Sequence, residues 1–247
     1  MPIGFAKSIL TSSGVSIGNT QSAVWDDSEW NGDFTGTTSL KKFGSYAIQS
    51  NRSTTVYDDT DSTLTIYPTD TNFRFNSNFA WTIEFWLGLT NTNAQYQSHA
   101  IFETTLIGEN LDDTTTTEYI KANGDYVYLY AGGSDQLENN DSFAEQMVHV
   151  ALVSDGSGGI NWWMNGSRKI NPEPTFSYTG ERKACAFGFR GTRNSDGPAV
   201  VFDEIRISNI ARYSGVSITQ PTSAFTPDEN TIALFHCENN LTDSSRG

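Results

Sequence analysis

Sulfur and imidazole are scarce in this chain: 247 residues carry two cysteines and three histidines. Two cysteines cannot build a disulfide framework. Cys185 and Cys237 each sit in an apolar run, and are expected as buried thiols packing like small hydrophobes, with a bridge as the minor alternative. They are too far apart in sequence for a zinc site. The Gly-x-Ser-x-Gly pattern occurs once, at Gly14-Val15-Ser16-Ile17-Gly18, without the strand-then-helix setting that makes it a nucleophile elbow. Long apolar runs are also missing. No stretch reaches the roughly 18 residues of a membrane span, and Met1–Lys7 lacks the core of a signal peptide. A soluble product made in a cytosol, without membrane insertion, is expected. Positive charge is short too, with 15 Lys and Arg against 29 Asp and Glu, a formal net charge of -14. Such a field repels phosphate backbones and anionic headgroups, so nucleic acid is not an expected partner.

What the chain has is turn residues and aromatics: 21 glycines, and 13% Phe, Trp and Tyr. A chain of this length buries about 70% of its unfolded surface, enough for one sizeable core, and all-β sandwiches of ~200–250 residues often form one domain. Residues 1–20 have few large apolar side chains after Leu10 and read as an extended N-terminal arm; residues 21–247 read as the folded domain. Within it, short apolar runs predict strands over Tyr46–Gln49, Ser62–Tyr67, Trp81–Leu87, Ala100–Thr104 and Tyr126–Tyr130. Others are predicted over Val148–Val153, Gly159–Met164, Cys185–Phe189, Val200–Ile207 and Thr231–Phe235. Asn123-Gly124-Asp125, Asp155–Gly159 and Asn165-Gly166 supply the reversals, where positive φ is cheap. Strands without intervening periodic helices imply an antiparallel, all-β, two-sheet sandwich. The sequence leaves room for one helical turn, over Ile210–Tyr213, and nothing longer.

The ordered set Phe43-Gly44-Ser45-Tyr46, Phe79–Trp86, Val148–Val153, Trp163-Met164-Asn165-Gly166 and Phe202–Ile207 resembles the laminin-G-like branch of the concanavalin A-like lectin/glucanase superfamily. The resemblance implies a jelly roll of one concave and one convex sheet. The opening Met1–Leu10, together with Arg212-Tyr213, Phe225–Asp228 and Thr231–His236, is similar to virion structural proteins of tailed bacteriophages. That second resemblance implies a capsid-surface, tail or fibre module in a virion, made in the host bacterial cytoplasm. Its implied partners are other virion proteins and copies of itself, with host-surface glycans a further candidate.

Relatives of this fold cleave β-glucans with paired carboxylates about 5–5.5 Å apart in retaining enzymes. No Glu-x-Asp-x-x-Glu segment supplies such a pair. Glu84 and Glu204 are the nearest candidates and lie on different strands, while strand alternation sends Asp203 and Glu204 to opposite faces. Arg206 is the expected ion-pair partner of Glu84, with a solvated face or catalysis as the alternatives. Asp203 is expected to brace a neighbouring loop, and His149 to be a hydrogen-bonded sheet histidine and not a general base. No catalytic residues and no metal site follow. Calcium stays open, because Asp58-Asp59-Thr60-Asp61, Asp112-Asp113 and Asn139-Asn140-Asp141 carry suitable oxygens without EF-hand spacing.

Tyr126, Tyr128 and Tyr130 alternate with Val127 and Leu129, so burial of the aliphatic residues would leave a tyrosine stripe outside. Such a stripe suits a sugar's apolar face or an anchor at a protein interface. The expected function is a noncatalytic virion component displaying a lectin-like sandwich. A carbohydrate-binding adhesion module is the alternative, and a glycanase the least favoured reading.

Overall fold

The computed structural model describes residues 23–25, 34–50, 63–68, 75, 77–90, 99–106, 119–123, 126–131, 134–139, 145–169, 182–190, 200–240 and 243–245. The arm expected over residues 1–20 lies outside them. The strands are β1 (Ala23–Trp25), β2 (Phe34–Thr37), β3 (Ala47–Ser50), β4 (Thr63–Pro68), β5 (Ala80–Leu89), β6 (His99–Leu106), β7 (Tyr119–Asn123) and β8 (Tyr126–Ala131). They continue with β9 (Ser134–Asn139), β10 (Val148–Asp155), β11 (Ile160–Met164), β12 (Ser167–Arg168), β13 (Arg182–Arg190), β14 (Val200–Ser208) and β15 (Thr231–Phe235). Among the described residues there is no helix.

Two antiparallel sheets result. One runs β1-β4-β13-β6-β7-β8-β9; the other runs β12-β11-β10-β5-β14-β3-β2, with β15 also paired to β14. The Asp155–Gly159 hairpin forms as expected, pairing Ser154 with Ile160, with Gly156 and Gly158 at positive φ. Asn165 and Gly166, at φ 48° and 81°, make the tight reversal from β11 to β12.

Period-2 alternation sorts the central strands of the eight-stranded sheet. Ile83, Phe85 and Leu87 of β5, Val150 and Leu152 of β10, and Phe202, Ile205 and Ile207 of β14 form one buried apolar layer. It meets the other sheet at Phe187 of β13, whose ring lies edge-on to Phe85 at 5.2 Å and to Phe202 at 5.7 Å. Full burial of each ring stabilises by roughly 1.5–3 kcal/mol, and each edge-to-face contact adds about 0.5–1.5 kcal/mol.

The opposite side of β5 is buried as well, because residues 209–230, between β14 and β15, cross it as an irregular strap. The hydroxyl of Thr82 donates to Ile210 O at 2.7 Å and accepts the Arg212 N–H at 2.9 Å. Those two bonds to one side chain draw the backbone away from the helical turn that the sequence left open at Ile210–Tyr213, which does not form. Farther along, Arg168 N donates to Val216 O and Ile218 N to Gly166 O. Tyr213 and Ile218 pack on Ala151, Val153 and Trp163. The strap's far end is pinned by the Arg212 guanidinium, whose two terminal nitrogens reach the Asp228 carboxylate at 2.8 and 2.6 Å.

Candidate functional site

Beneath the strap, Glu84 gathers three side chains that share little sequence proximity. Register places Glu84 of β5 beside Arg206 of β14 and Ala151 of β10, with His149 beside Trp86 one step along. Arg206 donates to Glu84 Oε1 through Nε at 2.8 Å and a terminal nitrogen at 2.7 Å. The Tyr213 hydroxyl donates to Oε2 at 2.6 Å, and His149 Nε2 stands 3.3 Å from the same oxygen. Glu84 and His149 have no solvent exposure.

Burial alone would push the Glu84 carboxyl up. The His149 hydrogen bond, the Arg206 charge and the Tyr213 hydroxyl outweigh it, and the carboxyl is held below its ordinary value of 4.5. Burial and the adjacent Glu84 charge push the Tyr213 phenol well above the ordinary tyrosine range. An ionised Glu84 only accepts, so His149 Nε2 carries the hydrogen. Its Nδ1 finds no hydrogen-bond partner among the described residues, enclosed by the rings of Trp86, Tyr213 and Phe225 at 5.3, 6.0 and 6.4 Å.

The expected Glu84–Arg206 pair and the hydrogen-bonded His149 are therefore both present. Tyr213 completes the cluster without having been a sequence candidate. It lies 129 residues from Glu84, on a segment with no periodicity to mark its facing.

The expected separation of Asp203 and Glu204 onto opposite faces is not what forms. Between Asp203 and Arg206 the β14–β5 register shifts, and Glu204 sits at φ 50°. This bulge inserts one residue and breaks the alternation, so both carboxylates lie on the strap side while Ile205 enters the core. Glu204 accepts the Phe225 N–H at 2.8 Å and contacts His236 Nδ1 at 2.9 Å. Burial raises its carboxyl above the ordinary value.

Asp203 does brace a loop, as expected: its Oδ2 accepts the N–H groups of Lys42 and Phe43 at 2.8 and 3.0 Å. Next to it, the half-buried Glu238 carboxylate accepts the N–H groups of Ser45 and Tyr46. At Gly44, with φ 61°, a Cβ would run into Glu238, so this loop needs glycine there. Cys237 is a buried free thiol, as expected. The Cys185 side chain lies outside the described residues.

Neither glutamate faces a cleft: Glu84 is closed by three partners, and Glu204, 2% exposed, by the strap and His236. An inaccessible carboxylate cannot deliver a proton to a substrate. The cluster instead ties the strap to the sheet.

The tyrosine candidates lie on β8, and their side chains are outside the described residues. Backbone register sets Tyr126, Tyr128 and Tyr130 opposite Asn123, Lys121 and Tyr119 of β7, and sets Val127 and Leu129 opposite Ala122 and Ile120. The calcium candidates Asp58, Asp59, Asp61, Asp112, Asp113, Asn140 and Asp141 lie outside the described residues, and Asn139 ends β9. Among the described residues, no group of three or more His, Cys, Asp or Glu could hold a metal ion.

No family model matches the sequence, and no curated protein matches it. Among solved structures, the chain is similar to the binding domain of Paraclostridial Mosquitocidal Protein 1, with TM-score 0.50 and 14% identity over 77% of this chain and 47% of that one. It is also similar to the receptor binding domain of botulinum neurotoxin D, with TM-score 0.50 and 10% identity over 78% of this chain and 50% of that one. The likeness is one of fold. The chain spans about half the length of either structure.

Proposed function

We propose that this chain is a noncatalytic binding module, built as a concanavalin A-like, laminin-G-like jelly-roll sandwich and carried on a bacteriophage virion. The observation that carries the noncatalytic reading is the closure of Glu84 and Glu204. The two carboxylates a glycanase would need are held by Arg206, Tyr213 and His149 in one case, and by Phe225 N and His236 in the other. The two structures described above are named as binding domains, one of them for a receptor, which agrees with a binding role.

The virion assignment draws its support from the sequence resemblance at the two ends of the chain. In that setting residues 1–20 attach the module to neighbouring virion proteins or to copies of itself, and the sandwich faces outward. Purified particles, probed by mass spectrometry and by negative-stain imaging with antibody against this chain, test it. The expected result is a stoichiometric particle component, and absence from purified particles refutes it. Incubation with a polysaccharide panel tests the noncatalytic reading: no cleavage is expected, and cleavage abolished by Glu84→Gln or Glu204→Gln would overturn it.

A glycan-binding reading is favoured by the register of β7 and β8, which groups Tyr119, Tyr126, Tyr128 and Tyr130 with Lys121 and Asn123 at alternate positions. Aromatic faces beside polar donors are the usual composition of a sugar platform. A glycan array comparing wild type with Tyr128→Ala tests it. Binding that is indifferent to the substitution removes this strand from the site.

A further inference from the structure

Two carboxylates on the strap side of the sheet differ in how they are compensated. Glu84 meets a guanidinium, a phenol and an imidazole. Asp203 is equally buried, at 0% exposure, yet among the described residues Oδ2 meets main-chain amides only and Oδ1 has no partner. The loop supplying those amides, residues 38–46, joins β2 to β3 at the sheet edge and folds back over Trp86, where the Phe43 ring stands edge-on at 5.9 Å. We propose that this loop is an acid-closed latch: a protonated Asp203 lets it seat on Trp86, and an ionised Asp203 loosens it.

The charged groups around Asp203 favour this direction. On its own strand, Glu204 is a like charge one residue away. From the segment after β15, Glu238 is another like charge, and the Cys237 thiol is neutral, its pKa raised by burial and by the two acids of β14. His236 is engaged by Glu204. From β5, Trp86 pairs with Asp203, and Glu84 is taken by Arg206. From the loop, Lys42 places its ammonium 4.0 Å over the Trp86 ring, and Lys41 donates to Ser45 O. Seating the loop thus dehydrates a carboxylate that gains two amide bonds and no counter-ion, which opposes its charge. Consistently, burial and the Glu204 charge push Asp203 up to about 6, against the lowering effect of the Phe43, Lys42 and Glu204 amides. Undocking returns the carboxylate to water, so the seated state binds the proton more tightly and acid favours it. The unpartnered Oδ1 can take the proton while Oδ2 keeps both amides.

Amide hydrogen exchange on the full chain, followed by NMR and corrected for intrinsic rates, tests the latch. Protection at Lys42 and Phe43 should fall roughly tenfold or more between about pH 5 and about pH 7.5. The Arg212 amide, held by the Thr82 hydroxyl outside the loop, serves as the internal reference. In Asp203→Asn the protection should stay near its acid value at both pH values. Protection in the wild type that is flat, or that rises with pH, overturns the proposal. If Asp203→Asn does not fold, carboxyl carbon titration of the wild type decides. A midpoint near 6 for Asp203 that coincides with the loss of Lys42 and Phe43 protection supports the latch, and a midpoint at the ordinary aspartate value of about 4, or one across which that protection does not change, overturns it.

Discussion

The Tyr213 hydroxyl lies 2.6 Å from Glu84 Oε2 across 129 residues of sequence, and this bond fastens an irregular strap to the centre of a sheet. Tyr213→Phe keeps the ring packed on Ala151, Val153 and Trp163 but leaves a buried carboxylate oxygen short of a donor. Urea unfolding at neutral pH should show a loss of about 1–3 kcal/mol, with faster amide exchange over residues 210–218. An unchanged midpoint would mean the bond does not form.

Removing the carboxylate itself should cost more. Glu84→Leu leaves Arg206, 12% exposed, without its partner, and a broken buried pair costs about 3–5 kcal/mol. Glu84→Leu combined with Arg206→Met should recover part of that loss, because no uncompensated charge then remains. A double-mutant cycle reads the coupling, and strictly additive losses would contradict the pairing.

Opposite pH slopes are expected from the two acids. Glu84 is depressed below 4.5 in the fold, so its stabilisation is complete above the unfolded value and is lost as pH falls through the folded one. The deficit of Glu84→Gln against wild type should therefore shrink on acidification. Asp203 moves the other way, from 3.8 to about 6. Its contribution is neutral below 3.8 and unfavourable above 6. Asp203→Asn should accordingly improve relative to wild type by roughly 2–3 kcal/mol as pH rises through that window. Denaturation curves at several pH values for both variants check the signs.

Gly166 is the reversal point between β11 and β12 and also touches the strap. At φ 81° an L side chain is strained, and a Cβ there would lie 2.8 Å from Ile218 O. Gly166→Ala should destabilise by about 1–3 kcal/mol. Calorimetry should show it as a lowered Tm, with the loss of protection concentrated at Ile218, whose N–H donates to Gly166 O.

Much of this site was legible in the sequence where one polar residue interrupts an apolar strand. Glu84, His149 and Arg206 each sit among core residues, so pairing was the economical way to bury them, and they are found joined. Asp203 was readable as a loop brace for the same reason. Glu204 was not, because a bulge at a non-glycine residue leaves no mark in composition and alternation gives the wrong face. Nor was the strap. Its path is set by Thr82, Glu84, Gly166 and Glu204, all distant in sequence, and its own residues carry no period. The short strands β1, β2, β7, β9 and β12 also escaped, since two to six residues give alternation little to show.

A sheet with one face sealed by its own chain has a direction. Here Thr82, Glu84, Ala151, Val153 and Trp163 are already occupied from within, so a visiting molecule meets the strap before it meets the strands. If the module is mounted in an assembly, the strapped side is the natural back, where Val216, at 79% exposure, is the most exposed large apolar residue among those described.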